Sequence, residues 1–235
     1  MRHPLLALPD AFHAGSPRGI TSVCSAHPVV IEAALRLGKR LGRPALIEAT
    51  CNQVNQDGGY TGMTPADFRD FVTRIAAEAG CAEVEIILGG DHLGPNPWKS
   101  LPADEALAKA DAMIAAYAAA GFTKLHLDCS MGCKGEPGAL DDAETAARAA
   151  RLAAIAEAHA TGATRPVYVI GTEVPVPGGA TGALDDDHLQ ITTPAAVRTT
   201  YEVHRKAFAA RGLPRLRHPH RGRGRLRRGR DHSRR

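Results

Sequence analysis

The segment GGDHLGPNPW, residues 89–98, carries the sharpest chemical signal in the chain. Two glycines let backbone approach a ligand closely, and they present an adjacent carboxylate and imidazole, Asp91 and His92. A neutral imidazole is the commonest metal ligand, and a neighbouring carboxylate serves as acid, base or orienting partner. Successive strand residues point to opposite faces, so a turn after Gly90 is needed to bring both groups to one site. The bland alternative is a capped loop holding an ordinary hydrogen-bonded histidine.

Three further segments offer polar groups. KLHLD places Lys124, His126 and Asp128 on one strand face at period two. Polar groups inside a parallel strand are costly unless paired, so either a binding site or a buried network must account for them. GTEVPVPGG puts Glu173 before a proline-constrained loop, suited to holding a divalent metal, to general-base work, or to a plain cap or loop ion pair. The run from Ala49 to Pro65 follows Glu48 and supplies Asn52, Gln53 and Asn55. Such a loop can bind a hydroxyl-rich substrate, contact another subunit, or simply be a solvated turn. Cys129 and Cys133 form a C-x3-C pair, but structural zinc usually takes four ligands and no second pair exists, so free thiols are expected. No G-x-x-x-x-G-K-[ST] occurs, which leaves a P-loop phosphotransferase without support.

The elements that position these residues alternate. Strands are expected at residues 19–27, 45–50, 84–92, 123–128 and 166–174. Ala-rich helices are expected at 28–42, 64–79, 102–120, 140–160 and 193–210. Thr64-Pro65 and Thr193-Pro194 are N-cap and first-turn proline pairs, and Gly121 and Gly212 are stops. Strands alternating with helices of this length imply a parallel sheet in an α/β fold, either doubly wound or a (β/α)8 TIM-type barrel. No G-x-G-x-x-G follows the first strand. Polar residues instead cluster at strand ends (Ser25 and His27, Glu48 and Thr50, Asp91 and His92, His126 and Asp128, Thr172 and Glu173), as a barrel's active face requires. Five units fill residues 19–212 at about 39 residues each, so eight would need about 310. The expectation is an incomplete barrel over residues 19–213, an N-terminal extension over 1–18 and a tail over 214–235. Its open strand edges are expected to promote aggregation unless a partner covers them.

The chain has 235 residues, 44% hydrophobic and 23% charged, which suits a folded domain. Its net charge of +4 is divided unevenly. Residues 214–235 hold ten arginines and one aspartate, a net +9, which leaves −5 on the rest. Apolar runs fall far short of the roughly 18–20 residues of a membrane helix, and Pro4 and Pro9 interrupt the only N-terminal apolar patch. With five cysteines, an odd number, a reducing cytoplasmic compartment is expected.

Taken together, SVCSAHPVVIEAAL, IEATCNQVNQDGGYTGMTPADF, ILGGDHLGPNPW, AGFTKLHLDCSM and YVIGTEVPVPGGA resemble the GatZ/KbaZ subunits of class II D-tagatose-1,6-bisphosphate aldolase, from about Gly19 to Leu213. The resemblance implies a (β/α)8 barrel and an accessory, non-catalytic role beside a catalytic subunit of GatY/KbaY type. The pathways are galactitol and N-acetylgalactosamine breakdown, with a sugar phosphate ligand. It also implies that Asp91-His92 is similar to the strand-end pair in which the histidine binds zinc, or another divalent metal, and the aspartate donates a proton. Glu173 then resembles a metal-proximal glutamate. The metal would polarise the substrate carbonyl. Further histidine ligands and phosphate-binding loops would come from later strands. Some relatives act as metal-dependent 4-epimerases. The alternative reading is therefore an autonomous sugar-phosphate aldolase or 4-epimerase using Asp91, His92, Asp128 and Glu173.

The basic tail departs from the family after Leu213, and its Arg, Gly, Pro and His content is typical of GC-rich DNA read out of frame. A frameshifted terminus is expected. Nucleic-acid binding through the tail is the lesser alternative, since interleaved aromatics are missing.

Overall fold

A computed structural model describes residues 2–171 and 193–213 of the chain. Five parallel strands, β1 (Ser22–Cys24), β2 (Ala45–Thr50), β3 (Ile86–Leu93), β4 (Lys124–Leu127) and β5 (Val167–Ile170), form one sheet in the order β1-β2-β3-β4-β5. Helices α2 (Pro28–Leu41), α3 (Pro65–Glu78), α4 (Ala103–Ala119), α5 (Asp142–His159) and α6 (Pro194–Ala210) alternate with them, and a short α1 (Ala7–His13) precedes β1. Every connection steps the same way along the sheet. A doubly wound sheet reverses its strand order, so the alternative to a barrel is removed. The fold is α/β of TIM-barrel type, with five βα units among the described residues.

Local sequence sets the helix ends. Thr64 accepts from the Asp67 amide while the Asp67 carboxylate accepts from the Thr64 amide, a reciprocal capping box with Pro65 at the first position. Thr193 caps α6 by the one-way bond alone, its hydroxyl accepting from the Ala196 amide, again with a proline at the first position. Gly42, with φ 58°, closes α2 in a left-handed conformation that a side chain would disfavour.

Alternation along the strands then sorts side chains between two faces. Ile47, Ala49, Leu125 and Leu127 are fully buried in the core, together with Ile31, Leu35, Phe68, Val72, Ile114, Tyr117 and Phe122 from the helices and the loop after α4. Their intervening neighbours, Glu48 and Lys124 among them, occupy the opposite face of the sheet.

Three expectations shift. The first strand contracts to three residues because Ser25 and His27 are taken up in opening α2. The Ser25 hydroxyl accepts from the His27 amide, and His27 Nδ1 from the Val29 amide. The third strand begins at Ile86, since Val84 still donates to Cys81 in the turn after α3. Residues 4–13 are helical, opened by Pro4 and by His3 Nδ1 accepting from the Leu5 amide. Glu173 and the arginine-rich segment 214–235 lie outside the described residues. None of the described helices is long and apolar enough to cross a membrane.

Candidate functional site

Strand register builds the site in two layers. Cys24, Glu48, Gly89 and Lys124 stand side by side across β1 to β4. Glu48 and Lys124 are buried and ion-paired, with Nζ 2.9 Å from Oε1 and 3.0 Å from Oε2. Gly89 lies between them, and the absence of a side chain there is required. A Cβ would fall 2.7 Å from Glu48 Oε1 and 2.8 Å from its Cγ.

The upper layer depends on an irregularity in β3. Pairing with β4 shifts between Gly90 and Leu93, and His92 has a left-handed φ of 51°. Among described residues other than glycine it is alone in that region, where strain of about 1–3 kcal/mol concentrates at functional sites. This bulge removes the obstacle that adjacent strand residues point apart. Asp91 Oδ2 lies 3.0 Å from His92 Nδ1, and Asp91 Oδ1 lies 2.9 Å from His126 Nδ1. The two imidazole centroids are 4.6 Å apart. Lys124 Nζ approaches Asp91 Oδ1 from below at 3.6 Å.

Burial by itself would raise the Asp91 carboxyl. The His126 hydrogen bond, the nearby charges of His92 and Lys124 and the His92 hydrogen bond outweigh it and hold Asp91 below the ordinary carboxylate value. An ionised carboxylate only accepts, so both Nδ1 atoms donate to it.

One donor atom each from Asp91, His92 and His126 lies within 4.8 Å of the others. Two imidazoles and a carboxylate suit zinc and neighbouring divalent metals, and three protein ligands leave the open position of a catalytic centre. The donor set fits the metal that the aldolase resemblance implies.

Sequence candidates fare differently. Asp91, His92, His126, Lys124 and Glu48 converge. Asp128 does not join them: its Oδ1 accepts from the amide and hydroxyl of Ser130. An aspartate that ends a strand and is followed two residues on by serine is free to close such a turn. Asn55 is buried within its own loop, donating to the Cys51 carbonyl and accepting from the Asp57 and Gly59 amides. Asn52 is exposed. Gln53 Oε1 accepts from the Thr50 amide at 2.8 Å and from the Cys24 thiol at 3.7 Å.

Cys24 is the site residue that sequence reasoning missed. Desolvation, reinforced by the charges of Asp91 and Glu48, pushes its thiol up to about 11, so it remains a neutral donor. Its available signal was its place next to Ser25, in the C-terminal half of the first expected strand. All five cysteines are unbridged, and Cys129 and Cys133 are both buried, outside the metal-capable group.

A strand-end carboxylate with two imidazoles on a parallel sheet of TIM-barrel type defines a metal-capable site, and comparison specifies the family. Residues 5–218 match the family described as D-tagatose-1,6-bisphosphate aldolase subunit GatZ/KbaZ-like, and the chain belongs to that family. It is 58% identical over 208 residues to a D-tagatose 6-phosphate 4-epimerase of Agrobacterium fabrum (strain C58), covering 88% of this chain and 48% of that protein. It is also similar to the crystal structure of a probable tagatose 6 phosphate kinase from Sinorhizobium meliloti 1021. There the identity is 61% and the TM-score 0.71, over 83% of this chain and 46% of that one. The chain thus spans about half the length of the relatives it matches.

Proposed function

We propose that this chain carries the metal-holding part of a site for carbon–hydroxyl chemistry on a phosphorylated ketose of the tagatose 6-phosphate class. The observation that carries the reading is the convergence of His92 and His126 on one ionised carboxylate, Asp91, at the strand ends. The substrate class comes from the 4-epimerase relative. His92, His126 and Asp91 would hold a divalent cation, which supplies polarisation of a substrate oxygen.

The chain's own groups supply the rest. Asp91 is taken up as a ligand and as the acceptor of both imidazoles, so taking a proton from a substrate hydroxyl falls to a further carboxylate. The Cys24 thiol and the Gln53 carboxamide face the same region and can hydrogen-bond sugar hydroxyls. Lys124 is occupied by carboxylates, so the substrate phosphate must be held elsewhere. Glu173 is our candidate for a further carboxylate.

Purified protein supplemented with Zn2+ or Co2+ and incubated with D-tagatose 6-phosphate tests this. Metal-dependent binding of the sugar phosphate, lost on chelation and in Asp91→Ala, is the expected result, since the chain carries part of the site. Binding indifferent to both would defeat it.

A second reading rests on the family description: an accessory role beside a catalytic class II aldolase subunit of GatY/KbaY type. It is tested by adding the chain to that subunit. The expected sign is a higher melting temperature and a longer active lifetime of the partner, insensitive to Asp91→Ala. An unchanged partner would dismiss it.

A further inference from the structure

The buried Lys124 ammonium touches two carboxylates on two layers. It is 2.9 and 3.0 Å from the Glu48 oxygens and 3.6 Å from Asp91 Oδ1, the same oxygen that receives His126 Nδ1. Its side chain is 10% exposed and that of Glu48 1%, so neither is placed to meet substrate. A buried ammonium facing a single carboxylate would be fully explained as a structural pair. The second carboxylate, belonging to the metal-capable group, is what that explanation leaves over.

We propose that Lys124 is a positioning residue: clamped on Glu48 across the side-chain-free Gly89, it fixes Asp91 so that the carboxylate receives both imidazoles at once. Glu48 is the anchor, Lys124 the strut, and Asp91 the aimed group. The inference rests on the metal-site reading for its purpose, but its geometry exists without a metal. Partners that orient a metal ligand from behind typically change metal affinity about 10–100-fold when removed.

The test uses the full chain and three variants: Lys124→Met, Glu48→Gln, and the two combined. The double variant matters because Lys124→Met alone strands a buried glutamate and loses stability for that reason. In metal-free protein, two-bond 15N–1H spectra of the histidine rings report which nitrogen carries the proton. In the parent, His92 and His126 should each be held as the Nδ1–H form. In Lys124→Met and in the double variant, His126 should become a mixture of tautomers, and Co2+ affinity should fall about 10–100-fold. Glu48→Gln alone should give a smaller change in the same direction, since the amide oxygen still accepts from Lys124 but no longer pairs with its charge.

If the double variant restores the parent's histidine spectrum and Co2+ affinity, Lys124 merely neutralises Glu48 and the proposal is wrong. If the parent binds no Co2+, the metal reading fails, and the metal-free spectra still decide the role of Lys124.

Discussion

Lys124 on β4 and Glu48 on β2 meet over the top of the strand that separates them, Nζ to Oε1 at 2.9 Å, because position 89 on β3 has no side chain. The pair is therefore a property of three strands in register. A Gly89→Ala variant tests it. The added methyl would meet the Glu48 carboxylate, which its ion pair and its burial prevent from swinging away. We expect a loss of about 1–3 kcal/mol in chemical denaturation, the usual cost of overpacking. Unchanged stability would mean that Glu48 and Lys124 do not cross there.

The left-handed backbone at His92 predicts a trade between stability and function. Glycine adopts φ 51° freely, and the His92 side chain is half exposed, so little packing is lost. His92→Gly should melt no lower than the parent while binding Co2+ at least about 10-fold more weakly. A lower melting temperature with intact metal affinity would assign His92 a structural role.

Away from the site, Arg148 bonds Glu136 and Glu144 and ties the loop after β4 to α5. The Arg148 hydrogen bonds hold the Glu136 carboxyl below its ordinary value, against a smaller desolvation effect. The folded state therefore binds its proton less readily than the unfolded chain. The resulting stability is fully present above the ordinary glutamate value of about 4.3 and is lost as pH falls through the folded value. Glu136→Gln should cost about 1–3 kcal/mol at pH 7 in urea unfolding. The gap to the parent should close below pH 4. A constant gap across that range would remove the linkage.

Asn55 discriminates loop from substrate roles. Its carboxamide bonds three backbone groups of its own loop. Asn55→Ala should lower stability by about 1–3 kcal/mol, measured by denaturation, because the buried Cys51 carbonyl loses this donor and the Asp57 and Gly59 amides lose their acceptor. Co2+ affinity should stay at the parent value. Loss of affinity at unchanged stability would return Asn55 to the site.

Much of this was legible from sequence because periodicity and caps are local. The five strands and five main helices fall where β-branched runs, Thr-Pro pairs and terminal glycines place them. Asp91 and His92 stood out through the glycines before them. Other features depend on register, which single positions do not disclose. KLHLD reads as one polar face, yet Lys124 turns down to Glu48, His126 across to Asp91, and Asp128 forward to Ser130. Cys24 looked like an ordinary thiol because its neighbours Glu48 and Asp91 lie on other strands. The bulge that unites Asp91 with His92 has a sequence requirement, a turn, but no sequence signature for its position.

Asp91, His92 and His126 are proposed to hold one divalent metal. Calorimetric titration of the metal-free protein with Co2+, beside the His126→Ala variant, tests it most directly. The account predicts one Co2+ per chain in the parent and affinity at least about 10-fold weaker in the variant. Equal binding by both proteins, or no binding by the parent, would contradict it.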